Sequence, residues 1–249
     1  MRLLNLLVTE RTFSMFLLAC GITLAGYYIG NSILKFRMFE RQVSVKGLAE
    51  REVMSDLGNW TIISKVAANN LAEGYSKIEA DKASIVDFLI KEGFEKSEIT
   101  YGNYTVTDLL AQSYRQNNSE DFRYIINSPV ILQTSKVTLL QKAAQSQSDL
   151  TQKGVIFENE GPFYEITKFN DLKPEMLAEG IKNARNAAEK FANDSGSRIG
   201  NLKKANQGTF IIGPPGASES ENSYDNIQNT KKSLRKKIRV VTTLEYFLE

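Results

Sequence analysis

Residues 41–92 read RQVSVKGLAEREVMSDLGNWTIISKVAANNLAEGYSKIEADKASIVDFLIKE, two β-patterned runs followed by one helical run. Arg41 to Ala49 alternates apolar and polar residues, with Val43 and Val45 on one face, as a half-buried strand does. Glu50-Arg51-Glu52 reads as a charged turn, and Val53 to Ala67 as a longer strand rich in β-favouring Trp60, Thr61, Ile62, Ile63 and Val66. Gly58 marks a candidate bulge. The short join between the runs predicts a hairpin. Asn69 or Asn70 then caps a helix reaching about Glu92, with Leu71, Tyr75, Ile78, Ile85 and Leu89 on one stripe and Gly93 ending it. Strands grouped before a helix favour an α+β fold with antiparallel sheets over a parallel, doubly wound one.

The rest of the chain repeats this alternation. Ile99 to Thr107 reads as a strand. Phe122 to Thr134 reads as another, at a sheet edge because Pro129 cannot donate to a ladder. A helix follows from Thr134 or Ser135 to about Gly154, with Val137, Leu140, Ala144 and Leu150 facing inward. Short strands are expected at Val155–Phe157 and Tyr164–Phe169. A third helix starts near Pro174 and ends at Gly196. Its expected buried stripe is Leu177, Ile181, Ala184, Ala188 and Phe191, and Ala184, Ala187, Ala188 and Ala192 make a slim face suited to a sheet. Arg198 to Ile212 reads as a strand. A polar, flexible loop is expected near 213–230. Leu234 to Leu248 closes the chain as a half-buried antiparallel strand whose apolar face only Lys236 interrupts. The expectation is antiparallel sheets packed with about three helices, preceded by one N-terminal transmembrane helix.

That helix rests on Thr12 to Leu34, 23 residues without a charge. Roughly 20 apolar residues cross a hydrocarbon core of about 30 Å. Phe13, Phe16, Leu17, Leu18, Ile22, Leu24, Tyr27, Tyr28, Ile29, Ile33 and Leu34 would face lipid. The run is longer than the roughly 7–15 apolar residues of a cleaved signal. A lipoprotein signal at Leu17-Leu18-Ala19-Cys20 is a further alternative, although Ile22 to Leu34 stays largely apolar where a lipoprotein usually has a polar linker. The expected organisation is a cytoplasmic N-terminus (1–11), a signal anchor (12–35) and a domain over 36–249. Arg2 and Arg11 before the run, against Lys35, Arg37, Arg41 and Lys46 after it, leave the orientation open, since large domains cross largely regardless of charge.

Composition narrows the chemistry. The chain has no histidine, so it lacks the usual neutral-pH base and the imidazole of a Ser-His or Cys-His pair. Its one cysteine, Cys20, lies in the apolar run, which excludes an internal disulfide and a Cys/His zinc site. No cofactor is expected. A net charge of +2, from 31 basic and 29 acidic residues, gives no global field for nucleic acid.

Residues 43–60 (VSVKGLAEREVMSDLGNW), 88–99 (FLIKEGFEKSEI), 184–210 (ARNAAEKFANDSGSRIGNLKKANQGTF) and 236–248 (KKIRVVTTLEYFL) together resemble the SIMPL domain family. The similarity covers about Arg41 to Leu248. The resemblance implies an α+β fold, a tendency to self-associate and, for bacterial members, a place in the envelope behind an N-terminal apolar segment. It brings no catalytic residue. The expected protein is single-pass in a bacterial inner membrane, its domain in the periplasm, non-enzymatic, a homo-oligomer or bound to an envelope partner, with a stress-related role. Two alternatives stand beside it: a carboxylate-only envelope hydrolase or ligand-binding enzyme, and a cytosol-facing adaptor.

The candidate contact surfaces are few. Lys231, Lys232, Arg235, Lys237 and Arg239 form a basic patch fit for phosphate, acidic lipid or an acidic partner, although a strand divides such charges between two faces. Glu50, Glu52 and Asp56 sit near the expected hairpin, on one face by alternation, as a candidate acid–base set. Tyr101, Tyr104, Tyr114, Phe122 and Tyr124 crowd a Gln/Asn-rich loop and suit a subunit interface.

Overall fold

The computed structural model describes residues 15, 18–32, 41–111, 122–216 and 224–249. Residues 18–32 form helix α1. The chain then divides into two compact units, one of Met1–Ala49, Leu177–Thr209 and Val240–Glu249, the other of Glu50–Met176 and Phe210–Arg239. The fold is α+β with antiparallel sheets, as expected, but five α-helices follow α1 among the described residues where about three were expected. Phe13, Phe16, Leu17, Ile33 and Leu34 lie outside the described residues. Among the described residues no helix is long and apolar enough to cross a membrane.

In the larger unit, β2 (Leu57–Ala68) and β5 (Tyr124–Thr134) pair antiparallel from Gly58 opposite Thr134 to Ala68 opposite Tyr124. Alternation puts Trp60, Ile62, Ser64 and Val66 on the same face as Ile126, Ser128, Val130 and Leu132, and all eight are buried. Helix α2 (Leu71–Lys91) lies in the core with them through Ile78, Ile85, Phe88 and Leu89. Its N-cap is Asn70, whose side chain accepts from the Ala72 N–H at 2.9 Å. Helices α3 (Val137–Gln145) and α4 (Ser148–Gln152) add Val137, Leu140, Ala143 and Leu150. The single helix expected over 135–154 is thus two, broken around Ser146 and Gln147.

The edges of this sheet differ from expectation. β5 is interior, because β3 (Ile99–Tyr101) and β4 (Thr105–Asp108) pair with its far side. Pro129 is tolerated there for a local reason. Its carbonyl accepts from the Gly102 N–H at 2.9 Å, so its missing donor faces the gap between β3 and β4 and the ladder to β2 is untouched. The same gap divides the single strand expected over 99–107. On the other side, β2 pairs with β6 (Phe157–Glu158) and β7 (Phe163–Glu165).

β1 (Gln42–Met54) is one strand through the charged triplet expected as a turn, and it makes no hairpin with β2. It joins a second sheet ordered β1, β10 (Arg235–Leu248), β8 (Ile199–Gln207), with β9 (Ile211–Gly213) also paired to β10. The triplet stays extended because its charges find tertiary partners: Glu50 meets Lys237 at 2.8 Å and Arg51 meets Glu175 at 2.7 Å. At the junction the Ser55 N–H donates to the Leu234 carbonyl and the Asp56 N–H to that of Glu165, so the chain leaves one sheet for the other. Helix α6 (Tyr224–Lys232) occupies part of the polar stretch expected as loop, with Lys231 and Lys232 in its last turn, where cations suit the helix dipole.

In the smaller unit, helix α5 (Phe169–Asp194) is seated through small residues. It begins five residues before Pro174 and carries that proline inside it. Of the expected stripe Leu177, Ile181, Ala184, Ala188 and Phe191, only the two alanines are buried. Phe191 is 64% exposed. The seated face is Gly180, Ala184, Ala188 and Ala192, which packs with Val45, Leu244 and Tyr246. A Cβ on Gly47 would lie 2.0 Å from the Gly180 carbonyl and 2.4 Å from the Ala184 nitrogen, so helix backbone rests directly on strand backbone. Neither neighbour is a flexible side-chain tip that can swing aside. Gly47→Ala is therefore expected to destabilise the chain by about 1–3 kcal/mol, as overpacking does, read as a lower denaturant midpoint at unchanged slope.

Candidate functional site

A polar cluster on the surface of the larger unit lies where α2 meets the β3–β4 edge. Tyr75, Glu79 and Lys82 recur at i, i+4 and i+7, so one side of the helix carries all three. Pairing of Tyr101 with Val130 turns Tyr101 to the sheet face that α2 covers. Tyr104, in the gap, packs beside Ile78 and Ile126. Lys82 Nζ lies 2.6 Å from the Glu79 carboxylate and donates to the Tyr104 hydroxyl at 2.5 Å. The same hydroxyl donates to Glu79. The ammonium also sits 5.4 Å from the Tyr101 ring centre and 5.2 Å from that of Tyr104, within cation–π range. Tyr75 meets Tyr104 edge-on at 5.9 Å.

The electrostatics of this cluster are those of a closed ion pair. The Lys82 ammonium, then the Tyr104 hydroxyl, holds the Glu79 carboxyl below the usual range. Glu79, then Tyr104, raises the lysine. Glu79 therefore supports folding above the ordinary carboxylate range and loses that support as pH falls through its depressed value; Lys82 loses its own only as pH rises through its raised one. A group poised near neutrality for proton transfer would be shifted the other way. Around the cluster Tyr101 is 58% exposed, and Leu71, Tyr75, Val106, Leu110 and Phe122 are exposed too. Leu71 and Tyr75 were expected inside the stripe of α2; Gly74 and Asp81 take those inward positions. Asp108 and Arg123 meet at 3.0 Å, flanking residues 112–121, and Tyr114 lies outside the described residues.

The basic patch is not one surface. Lys231, Lys232 and Arg235 are exposed, whereas Lys237 and Arg239 reach the two oxygens of Glu50 at 2.8 and 3.7 Å. Lys236, the break in the apolar face, is 5% exposed and its Nζ donates to the Tyr164 carbonyl. Burial pushes Lys236 below the ordinary lysine range, partly offset by the Glu165 charge, and burial pushes the Tyr164 phenol up to about 12. Among the carboxylates, Glu50 is held by those two cations, and Asp56 accepts from the Thr167 N–H at 2.7 Å and hydroxyl at 2.8 Å. Burial raises the Asp56 carboxyl, but the bonds from Thr167 outweigh it and leave it lowered. Glu50 and Asp56 thus face separate partners and form no acid–base pair. No group of three or more Asp, Glu or Cys able to hold a metal occurs among the described residues.

Sequence reading missed Glu79 and Lys82, and it marked Lys236 only as a break in an apolar face. The helical spacing of Tyr75, Glu79 and Lys82 was the available signal for the first two. The family described as SIMPL, a protein of unknown function (DUF541), matches residues 43–242. No curated protein matches the chain. Among solved structures, a hydrolase from Listeria innocua is 10% identical over 81% of this chain and 92% of that one, with a TM-score of 0.19. An uncharacterized conserved protein from Listeria innocua is 10% identical over 77% and 91%, with a TM-score of 0.20. Superpositions of that quality assign neither a fold nor an activity.

The depressed titration of Lys236 has a definite sign. The folded chain gives up this proton before the unfolded chain does, so stability rises with pH up to 10.5, the ordinary lysine value. Lys236→Met removes the titration, and its stability is expected to lack that rise as pH climbs toward 10.5 in denaturant unfolding.

Proposed function

The chain belongs to the SIMPL family, and from that premise we propose that it is a membrane-anchored envelope protein whose domain works by binding, to further copies of itself or to an envelope partner, and not by catalysis. One observation carries the reading. Leu18, Ile22, Leu24, Tyr27, Tyr28 and Ile29 of α1 are all exposed, on a helix without a charged residue. Such a surface is at home in hydrocarbon and costly in water. The described helix covers residues 18–32, shorter than the roughly 20 residues that span a bilayer. The uncharged run from Thr12 to Leu34 supplies the remaining length. The flanking charges leave the side open, and the family resemblance supports placing the domain in the periplasm with the N-terminus in the cytoplasm.

The binding surface in this reading is the aromatic patch of Tyr75 and Tyr101. Exposed tyrosines give large, rigid contact area, and aromatics are enriched at interfaces. The hydrolase alternative gains no support, since Glu50 and Asp56 are each engaged elsewhere. The full-length chain is expected to stay in membranes washed with alkaline carbonate and to run larger than a monomer in mild detergent. Tyr101→Ala is expected to weaken that assembly by about fivefold or more at unchanged unfolding midpoint. Release by carbonate overturns the anchor, and a strict monomer with no retained partner overturns the binding role. A reporter fused after Glu249 separates the periplasmic side from the cytosolic one.

A further inference from the structure

Helix α2 carries an anomaly on its buried side. Gly74, Ile78, Asp81, Ile85 and Phe88 form the stripe that faces the sheet, and four of these five are apolar or glycine. Asp81 is the exception, 9% exposed, with a fully enclosed Oδ2 that has no hydrogen-bond partner. A buried carboxylate oxygen without a donor is costly, and such groups are rare in folded chains.

The sheet has its own polar layer at the same level. Ile78 packs with Val66 and Ile126, while Ile85 belongs to the cluster of Ile62 and Val130. Asp81 lies between Ile78 and Ile85 on the helix. Ser64 and Ser128 lie between those same sheet residues and oppose each other across the ladder. Both serines are buried, and the Ser64 hydroxyl donates to the Ser128 carbonyl at 3.1 Å. Two apolar clusters are therefore separated by one polar layer of Asp81, Ser64 and Ser128.

We propose that Asp81 makes the seat of α2 on the sheet proton-dependent, so that the helix packs more tightly once the carboxyl takes a proton from solvent and can act as a hydrogen-bond donor within the serine layer. The charged state leaves Oδ2 buried and unmatched. The protonated state removes the charge and turns the carboxyl into a hydrogen-bond donor. The charges around Asp81 do not cancel this. Lys77, one turn earlier on α2, is the cation acting on it. Glu79 and Lys82 on α2 are closed on each other and on Tyr104 from the β3–β4 gap. β2 and β5 supply only the two serines at this level, since Lys65 points to the opposite sheet face and pairs with Glu158. Burial raises the Asp81 carboxyl above its ordinary range, against the weaker pull of Lys77. Of the Asp and Glu carboxyls with a resolved shift, the others move down.

The sign follows. The folded chain holds this proton to higher pH than the unfolded chain, so stability falls as pH rises from the ordinary aspartate value through that of Asp81. The full-length chain in mild detergent should gain about tenfold in the folded-to-unfolded ratio for each pH unit separating the two titrations. Asp81→Asn keeps the shape and removes the titration; its stability should lack this acid-side gain, and its α2 amides should show no pH-dependent slowing of hydrogen exchange beyond the intrinsic rate. If that variant does not fold, carboxyl carbon NMR of the unaltered chain reads the Asp81 titration directly. An Asp81 titration at or below the ordinary 3.8, or coincident pH profiles for the two chains, overturns the proposal. None of these readouts depends on where the chain is anchored.

Discussion

The larger unit depends on the ladder between β2 and β5. Its uninterrupted register from Gly58–Thr134 to Ala68–Tyr124 decides which side chains share a face. A slip of one residue would send Trp60, Ile62, Val66, Ile126, Val130 and Leu132 to the opposite face. Everything else in that unit uses the face so defined. Helix α2 lies against it, α3 and α4 close its end, and β3, β4, β6 and β7 extend its edges in short pieces. Those pieces also limit the exposed length of unpaired backbone, a common way to blunt a sheet edge.

The smaller unit solves the helix-on-sheet problem differently. The larger unit fills its interface with Trp60, Phe88 and branched aliphatics, whereas α5 meets its sheet through Gly180, Ala184 and Ala188 over Gly47. Close backbone approach replaces side-chain volume. The consequence is a seat with little tolerance for added atoms, with Ile181 and Phe191 left exposed.

Charge is handled by local closure. Glu79, Lys82 and Tyr104 form one closed set, Glu50 with Lys237 and Arg239 another, and Asp56 with Thr167 a third. Each set joins its charges to partners close at hand. Two buried charges are held differently: the Lys236 Nζ donates to a carbonyl, and the Asp81 Oδ2 has no hydrogen-bond partner.

Much of the fold was legible in the residues themselves. The alternation of Leu234 to Leu248, the N-cap at Asn70 and the terminating Gly93, with its φ of 102°, are local properties, and local sterics and hydrogen bonding decide them. So is the uncharged run of Thr12 to Leu34. What pairs with what was not legible. The triplet Glu50-Arg51-Glu52 looked like a turn because its neutralising partners, Lys237 and Glu175, are far along the chain. Pro129 looked like an edge residue because only the assembled sheet shows that its missing donor meets a gap. The cluster of Tyr75, Glu79, Lys82, Tyr101 and Tyr104 needed a helix laid beside a strand edge before it existed. Period and capping act over a few residues and are written in the chain; register, sheet membership and charge pairing are set by contacts between distant segments, and only folding brings those together.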